Sequence, residues 1–347
     1  MIGRDHAVAA QANVDAGTVL LRATTRRTRS VIPVSLPRVT DKTLPPVTMV
    51  VPTRNRAHTL RLVAASYYEQ EIVDEVIFVD DAGQDNTAEV VEAFRQRFPK
   101  VRTVLLRNPE RAGAAESRNR GAAIARNEYI LFCDDDEMLE TGYARTCLGK
   151  LLQTGAGAVS GRRVYMRDGE TSDGALSRFG FGIRPGPPYR ALICEHVTGA
   201  RFRGDIEVPF ANAIIVTPTA LVRKYGFDAA YFRGNGYREE TDYQMNLFVA
   251  GYRILMTSDV HSVHLSPAQV RTGGQRVGRL TRLYWTIFYT NYFYRKYWDG
   301  YCARLGITMP RSVALAWFAI FAMYREMLRP SLYRAVFALM RFRASLR

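Results

Sequence analysis

The sequence predicts an α/β fold built on a mainly parallel sheet, and three observations carry that expectation. Within residues 47–133, four short β-branched runs alternate with three helical segments. Strand–helix alternation at this spacing closes βαβ units, which make neighbouring strands parallel and cover both faces with helices. Polar clusters, "TRNR", "DDAGQDN" and "DDDE", follow three of the strand ends. Ligands bind such sheets beyond the carboxyl ends of the strands, so the three clusters should share one crevice. Finally, 347 residues with 47% hydrophobic and 23% charged describe an ordinary globular chain, long enough for a large domain with additions.

Each element has its own signal. "VTMVV" (47–51) is a β-branched run stopped by Pro52 and a polar turn. Residues 57–69 place Leu60, Val63, Ala64 and Tyr67 on one helical face. "EVIFVD" (75–80) is the second strand, and "TAEVVEAFRQRF" (87–98) a helix that begins near Thr87. "VRTVLL" (101–106) is the third strand, "AESRNRGAAIARN" (115–127) the third helix and "YILFC" (129–133) the fourth strand. Beyond 156 the periodicity weakens. "GAVSGRRVY" and "NAIIVTP" read as strands, 180–188 as a Gly- and Pro-rich loop, and 236–254 as a helix entered through acidic residues and left at Gly251.

Charge divides the chain into three parts. The net +15 resides at the ends: 1–47 holds 7 basic and 3 acidic residues, 271–347 holds 14 and 2, and the middle is nearly neutral. Such a tail suits an anionic membrane surface or nucleic acid. No recognisable nucleic-acid module accompanies it, so nucleic acid is not expected as a partner. Cys133, Cys147, Cys194 and Cys302 form no C-x-x-C pair, which fits a reducing cytoplasm, and the N-terminus lacks the apolar core of a signal peptide.

Three acidic groups carry the candidate chemistry. Asp80 and Asp81 end the second strand, where they could accept hydrogen bonds from a nucleobase or ribose, or simply cap a turn. Asp134 to Glu137 crowd four carboxylates at the fourth strand end, so something positive is expected among them: a metal ion, arginines or water. Hard carboxylate oxygens suit Mg²⁺ or Mn²⁺. Glu239, Glu240 and Asp242 enter a helix, either as a general base or as favourable partners of the helix dipole. His261 and His264 could ligate a metal as neutral imidazoles. Arg111, Arg118 and Arg120 could hold a diphosphate or a base.

In order along the chain, "VVPTRNR", "IFVDDAGQDNT", "AGAAESRNRGAAIARNEYILFCDDDEML", "NAIIV" and "YREETDYQMNLFVAGYRI" resemble the family 2 inverting glycosyltransferases of the GT-A fold. The likeness covers about residues 47–265. It implies a nucleotide-sugar donor, a UDP-sugar above others, held on Mg²⁺ or Mn²⁺ and transferred with inversion to a hydroxyl of a polysaccharide or lipid-linked glycan. Carried onto this sequence, Pro52, Thr53 and Arg54 would line the nucleotide pocket, and Asp81, with Asp80 beside it, would recognise the base. Asp134 would contact the ribose or share the metal, with Asp135 beside it at the donor, and Asp136 would bind the metal. His264 matches a late histidine that completes the metal site in related enzymes. The family's glutamate–aspartate pair falls on Glu239–Glu240, which makes Glu240 the implied base; glutamate there departs from the usual aspartate and leaves Glu239 and Asp242 as alternatives.

The expected organisation is an irregular basic leader (1–45), a catalytic body (46–270, divided at 138 into a donor half and an acceptor half) and a C-terminal extension (271–347). The extension interleaves arginines with Trp, Tyr and Phe, and its apolar run 313–324 is too short to span a bilayer. Pro330 precedes a last basic amphipathic helix. Such helices suit the interfacial plane of an anionic membrane, here the cytoplasmic face. Alternatively they pack on the body or form a homo-oligomer. Two rivals to the transferase stand: a nucleotidyltransferase, which should show a Gly-rich loop absent from "PTRNRAHT", and a non-catalytic membrane adaptor.

Overall fold

The computed structural model describes residues 44–180, 189–197, 202–270 and 277–328. The leader up to residue 43, the stretch 181–188 and the expected last helix after Pro330 lie outside the described residues.

The first half follows the expected alternation. β1 (Val47–Thr53), β2 (Val73–Asp80), β3 (Arg102–Arg107) and β4 (Tyr129–Phe132) pair in parallel, in the order β3-β2-β1-β4. Their connections are α1 (Ala57–Val63) with α2 (Ala65–Tyr68), α3 (Thr87–Arg97) and α4 (Ala114–Ile124). β1 is buried at every position. Period-two alternation sends Met49 and Val51 into the hydrophobic cluster on one face and Val50 into the cluster on the other. That two-sided burial is why the strands read as unbroken apolar runs. α4 lies so close to β1 that a Cβ on Gly121 would collide with a Val50 methyl carbon.

The second half bends the sheet back toward the first. β5 (Glu137–Leu139), α5 (Tyr143–Thr154), β6 (Ala158–Tyr165) and α6 (Ser172–Gly180) come first. A small hairpin of β7 (Tyr189–Arg190) and β8 (Glu195–His196) follows, then β9 (Asp205–Val208), β10 (Ile215–Pro218) and α7 (Thr219–Tyr225). α8 (Glu239–Val249) and β11 (Ile254–His264) complete the body. β10 runs antiparallel between β4 and β6, and β11 pairs with β6, β5 and β9. β11 reads poorly as a strand because "TSDVHSVH" interrupts its apolar residues with polar ones, of which His264 reaches the cavity while Asp259 pairs with Lys150 and His261 with Glu140. The expected helix 236–254 is shorter, since Gly251 at φ +100° turns the chain into β11.

The C-terminal helices are α9 (Arg279–Leu305) and α10 (Arg311–Met323). Phe293, Tyr294, Tyr297, Trp298 and Tyr301 of α9 are buried in the same cluster as Phe210, Phe248 and Ile215. The expected boundary at residue 271 therefore separates by sequence what the core joins. Among the described residues no helix is long and apolar enough to cross a membrane.

Candidate active site

The carboxyl ends of β1, β2 and β4 open into one cavity of about 1220 Å³ that extends to α8 and to the start of α9. Pro52, Thr53, Arg54, Asp81, Arg111, Arg118, Asp134, Asp135, Asp136, Glu239, Glu240 and His264 all line it. Two expected site residues do not. Asp80 points under the turn, where Oδ1 accepts from the Gly83 amide at 2.8 Å. Asp242 is 2% exposed and accepts from the Tyr231 and Tyr297 hydroxyls and from Lys296 Nζ at 2.7 Å. Asp80 holds a turn, and Asp242 fastens α8 to α9.

Asp81 does face the cavity, yet it is already employed. Its oxygens accept from Asn108 Nδ2 at 2.9 Å and from the Ala112 and Gly113 amides at 2.7 and 2.9 Å. A carboxylate offers about four acceptor positions, so about one remains for a ligand. Arg111 is exposed at the rim, its guanidinium 5.5 Å from the Phe232 ring centre. Arg120 lies outside the lining and donates to Asn108 Oδ1 at 2.6 Å.

Arginines answer the crowded charge at 134–137. Arg56 donates to Asp136 at 2.8 Å and stands 3.5 Å from Asp135. Arg118 and Arg163 hold the two oxygens of Asp134 at 2.8 and 2.7 Å, and Arg163 also meets Glu137 at 2.6 Å. Burial would raise the Asp134 pKa, but these two guanidiniums outweigh it and keep it below the ordinary value. Burial pushes Asp135 above the carboxylate range despite Arg56, and lifts Glu137 to about 8 against the pull of Arg163. Arg56 and Arg163 were missed by sequence reasoning. Arg56 sits inside the quoted "TRNR", and Arg163 follows Arg162 in a mostly buried strand, a pattern that marks the pair but not the carboxylates they meet.

A cation fits beside Asp136. Asp136, Glu137 and His264 each bring a ligand atom within 4.8 Å of the others. His264 Nδ1 lies 2.7 Å from the Leu265 carbonyl, which leaves Nε2 as a lone pair facing Asp136 Oδ2 at 3.7 Å. Burial lowers the His264 pKa even with Asp136 opposing it, so the imidazole stays neutral, the form that ligates. Asp134, expected among the metal ligands, has both oxygens held by arginines, whereas Asp136 gives only Oδ2 to Arg56. His261 is committed too, with Nδ1 at Glu140 and Nε2 accepting from Arg162, 2.8 and 2.7 Å away.

α8 delivers the third acidic group. Its entrance turns on Arg238, a non-glycine residue at φ +78°, held by Glu195 at 3.1 Å and by the Cys194 carbonyl at 2.6 Å. That turn aims Glu239 and Glu240 into the cavity. Glu239 is buried on Arg118, and burial raises its pKa over the opposing pull of that arginine. Glu240 is half-buried, and among the described residues its carboxylate has no hydrogen-bond or ion-pair partner.

Comparison with known proteins identifies the family and the fold. Residues 48–229 match the model of glycosyl transferase family 2. The chain is 28% identical over 206 residues to glycosyltransferase GlyG of Streptococcus pneumoniae, covering 58% of this chain and 64% of that protein, less than two thirds of its length. It is 29% identical over 218 residues to the GalNAc(5)-diNAcBac-PP-undecaprenol β-1,3-glucosyltransferase of Campylobacter jejuni, covering 62% and 67%. The fold is similar to that of a mannosyltransferase from Pyrobaculum calidifontis solved with GDP-Man and Mn²⁺, with a TM-score of 0.52, 18% identity, and 87% of this chain and 81% of that one covered. The architecture is thus the GT-A fold with added C-terminal helices, and the chain belongs to glycosyl transferase family 2.

Proposed function

We propose that this chain is a metal-dependent, inverting glycosyltransferase that moves a sugar from a nucleotide-diphosphate donor, a UDP-sugar, to a hydroxyl of a polysaccharide or lipid-linked glycan. The carrying observation is Glu240: an unpartnered carboxylate in the same cavity as the acidic strand-end cluster. The name of the Campylobacter relative includes a lipid diphosphate-linked acceptor, which supports the acceptor class. We place the reaction at the cytoplasmic face of the cell membrane, in the service of the cell envelope.

In this reading Pro52, Thr53, Arg54 and Asp81 border the nucleotide, and Arg111 and Arg118 lie along the route of the diphosphate. Asp136 and His264 would hold the divalent ion. When bound, the ion neutralises charge on the departing diphosphate. Glu240 accepts the proton of the acceptor hydroxyl as its oxygen bonds to the anomeric carbon. The bond from that carbon to the diphosphate breaks, its electron pair leaves with the nucleoside diphosphate, and a single displacement inverts the centre. Arg118 fixes Glu239, the neighbour of the base, on a buried ion pair.

Glu240→Gln tests the assignment. The carboxamide keeps the size but cannot take the proton, so kcat should fall by about 10²–10⁴-fold with donor affinity unchanged. Transfer at the native rate would remove Glu240 from the role. Calorimetry against a panel of nucleotide-sugars with Mn²⁺ identifies the donor, and the absence of metal-dependent nucleotide binding would favour the adaptor.

A further inference from the structure

α10 is apolar on every side, a pattern that ordinarily marks a helix buried on every side. No charged residue lies between Ser312 and Tyr324. Ala314, Phe318 and Ala322 face the body. On the outer face, Val313, Trp317, Ile320 and Tyr324 form one stripe, exposed by 52, 59, 55 and 47%. α9 adds Leu280, Tyr284 and Phe288, four residues apart, exposed by 70, 60 and 46%. The Arg282–Glu326 ion pair and the Tyr294–Phe318 ring contact at 6.4 Å set the two helices antiparallel, with the start of α9 beside the end of α10. Arg282 and Arg325, from that same end, line the cavity.

Charge selects the occupant of this face. Exposed Arg279 and Arg311 start the two helices that carry the stripe, within residues 271–347, whose sequence holds 14 basic residues against Asp299 and Glu326. A second copy of the chain would meet its own patch across a two-fold axis, setting basic against basic. An anionic bilayer offers the opposite charge, and Trp and Tyr amid arginines suit its headgroup level. We propose that the outer face of α9 and α10 docks on an anionic lipid bilayer, with α10 lying in the interface plane. The cavity end that carries Arg282 and Arg325 then stands at the headgroups, where a lipid-linked acceptor presents its glycan. This deepens the transferase reading in naming the acceptor's route, and docking itself is measurable without any substrate.

The test is co-sedimentation of the full chain with two kinds of vesicle, phosphatidylcholine alone and an equimolar mixture with phosphatidylglycerol. The chain should pellet with the anionic vesicles, and salt should release it. Trp317→Glu combined with Ile320→Glu should lower the partition coefficient by at least about tenfold while leaving the circular dichroism spectrum intact. Tyr284→Glu, on the other helix, serves as the second variant should the first fail to fold. Wild-type chain that stays in the supernatant, or variants that bind as well as wild type, would overturn the docking surface. So would a wild-type dimer in light scattering that the variants dissolve without any vesicle binding. Donor hydrolysis in lipid-free solution reads the transferase site separately and should be unchanged in all the variants.

Discussion

Arg118 and Glu239, 121 residues apart in the chain, form a buried ion pair, and the same guanidinium reaches Asp134 at 2.8 Å. One cation therefore ties α4, the end of β4 and the entrance of α8 into a single wall. Arg118→Met would leave Glu239 buried without its partner and Asp134 with Arg163 alone. Breaking a buried pair in this way costs about 3–5 kcal/mol, so the thermal midpoint should fall by many degrees. Arg118→Lys should recover little, because a single ammonium cannot span both carboxylates as the planar fork does. An unchanged midpoint in Arg118→Met would show the wall to be held by something else.

Metal dependence should localise to Asp136 and His264. Replacing either by alanine is expected to weaken Mn²⁺-dependent donor binding by about tenfold or more, read by calorimetry with and without a chelator. His261→Ala, which removes a residue pledged to Glu140 and Arg162, should leave the metal dependence as it was. Equal losses at the two histidines would contradict this division.

Asp242 offers a contrast between neighbours on one helix. Its place under Lys296, Tyr231 and Tyr297 predicts that Asp242→Asn lowers stability by about 2 kcal/mol in urea unfolding. Turnover by the folded fraction should stay near normal. A collapse of turnover with full stability would return Asp242 to the chemistry.

Acid should weaken the fold partly through His196. Burial pushes its pKa down to about 4 over the opposing effect of Glu195, and Nε2 is buried without a hydrogen-bond partner among the described residues. The unfolded chain takes up this proton near pH 6.5. Between pH 6.5 and 4 the unfolded state binds more protons, so the stability contributed by neutral His196 is present above that window and lost as pH falls through it. His196→Gln should flatten the decline of the thermal midpoint across that window. Identical slopes in the two proteins would assign the acid sensitivity to other groups.

The alternation of β1 to β4 with its helices was legible in the sequence because its signals are local. Apolar runs, helical periodicity and turn residues each lie within a dozen positions, and strand ends in such a sheet must converge. What escaped was decided at long range. Arg163 gives no sign in "SGRRVY" that it will meet Asp134, 29 positions away. Asp80 and Asp81 are indistinguishable as a dipeptide, yet a single step of the chain sends one under a turn and the other to the cavity. Asp242 carries the same acidic label as Glu240, and only the 3.6-residue period of α8 and the arrival of α9 turn it inward. β11 hid because its polar residues, bonded to neighbours such as Lys150 and Glu140, break the pattern of a buried strand.

The packing of α9 against the sheet has a consequence for synthesis. On the ribosome the sheet and α8 emerge before residues 279–305, so the aromatic wall that closes one hydrophobic face is delivered after the surface it covers. Until it arrives, the apolar residues of α8 and β10 stand open to water and to neighbouring nascent chains, where sticky surfaces aggregate or recruit chaperones. Completion of this hydrophobic face thus waits on codons read well after those of the sheet.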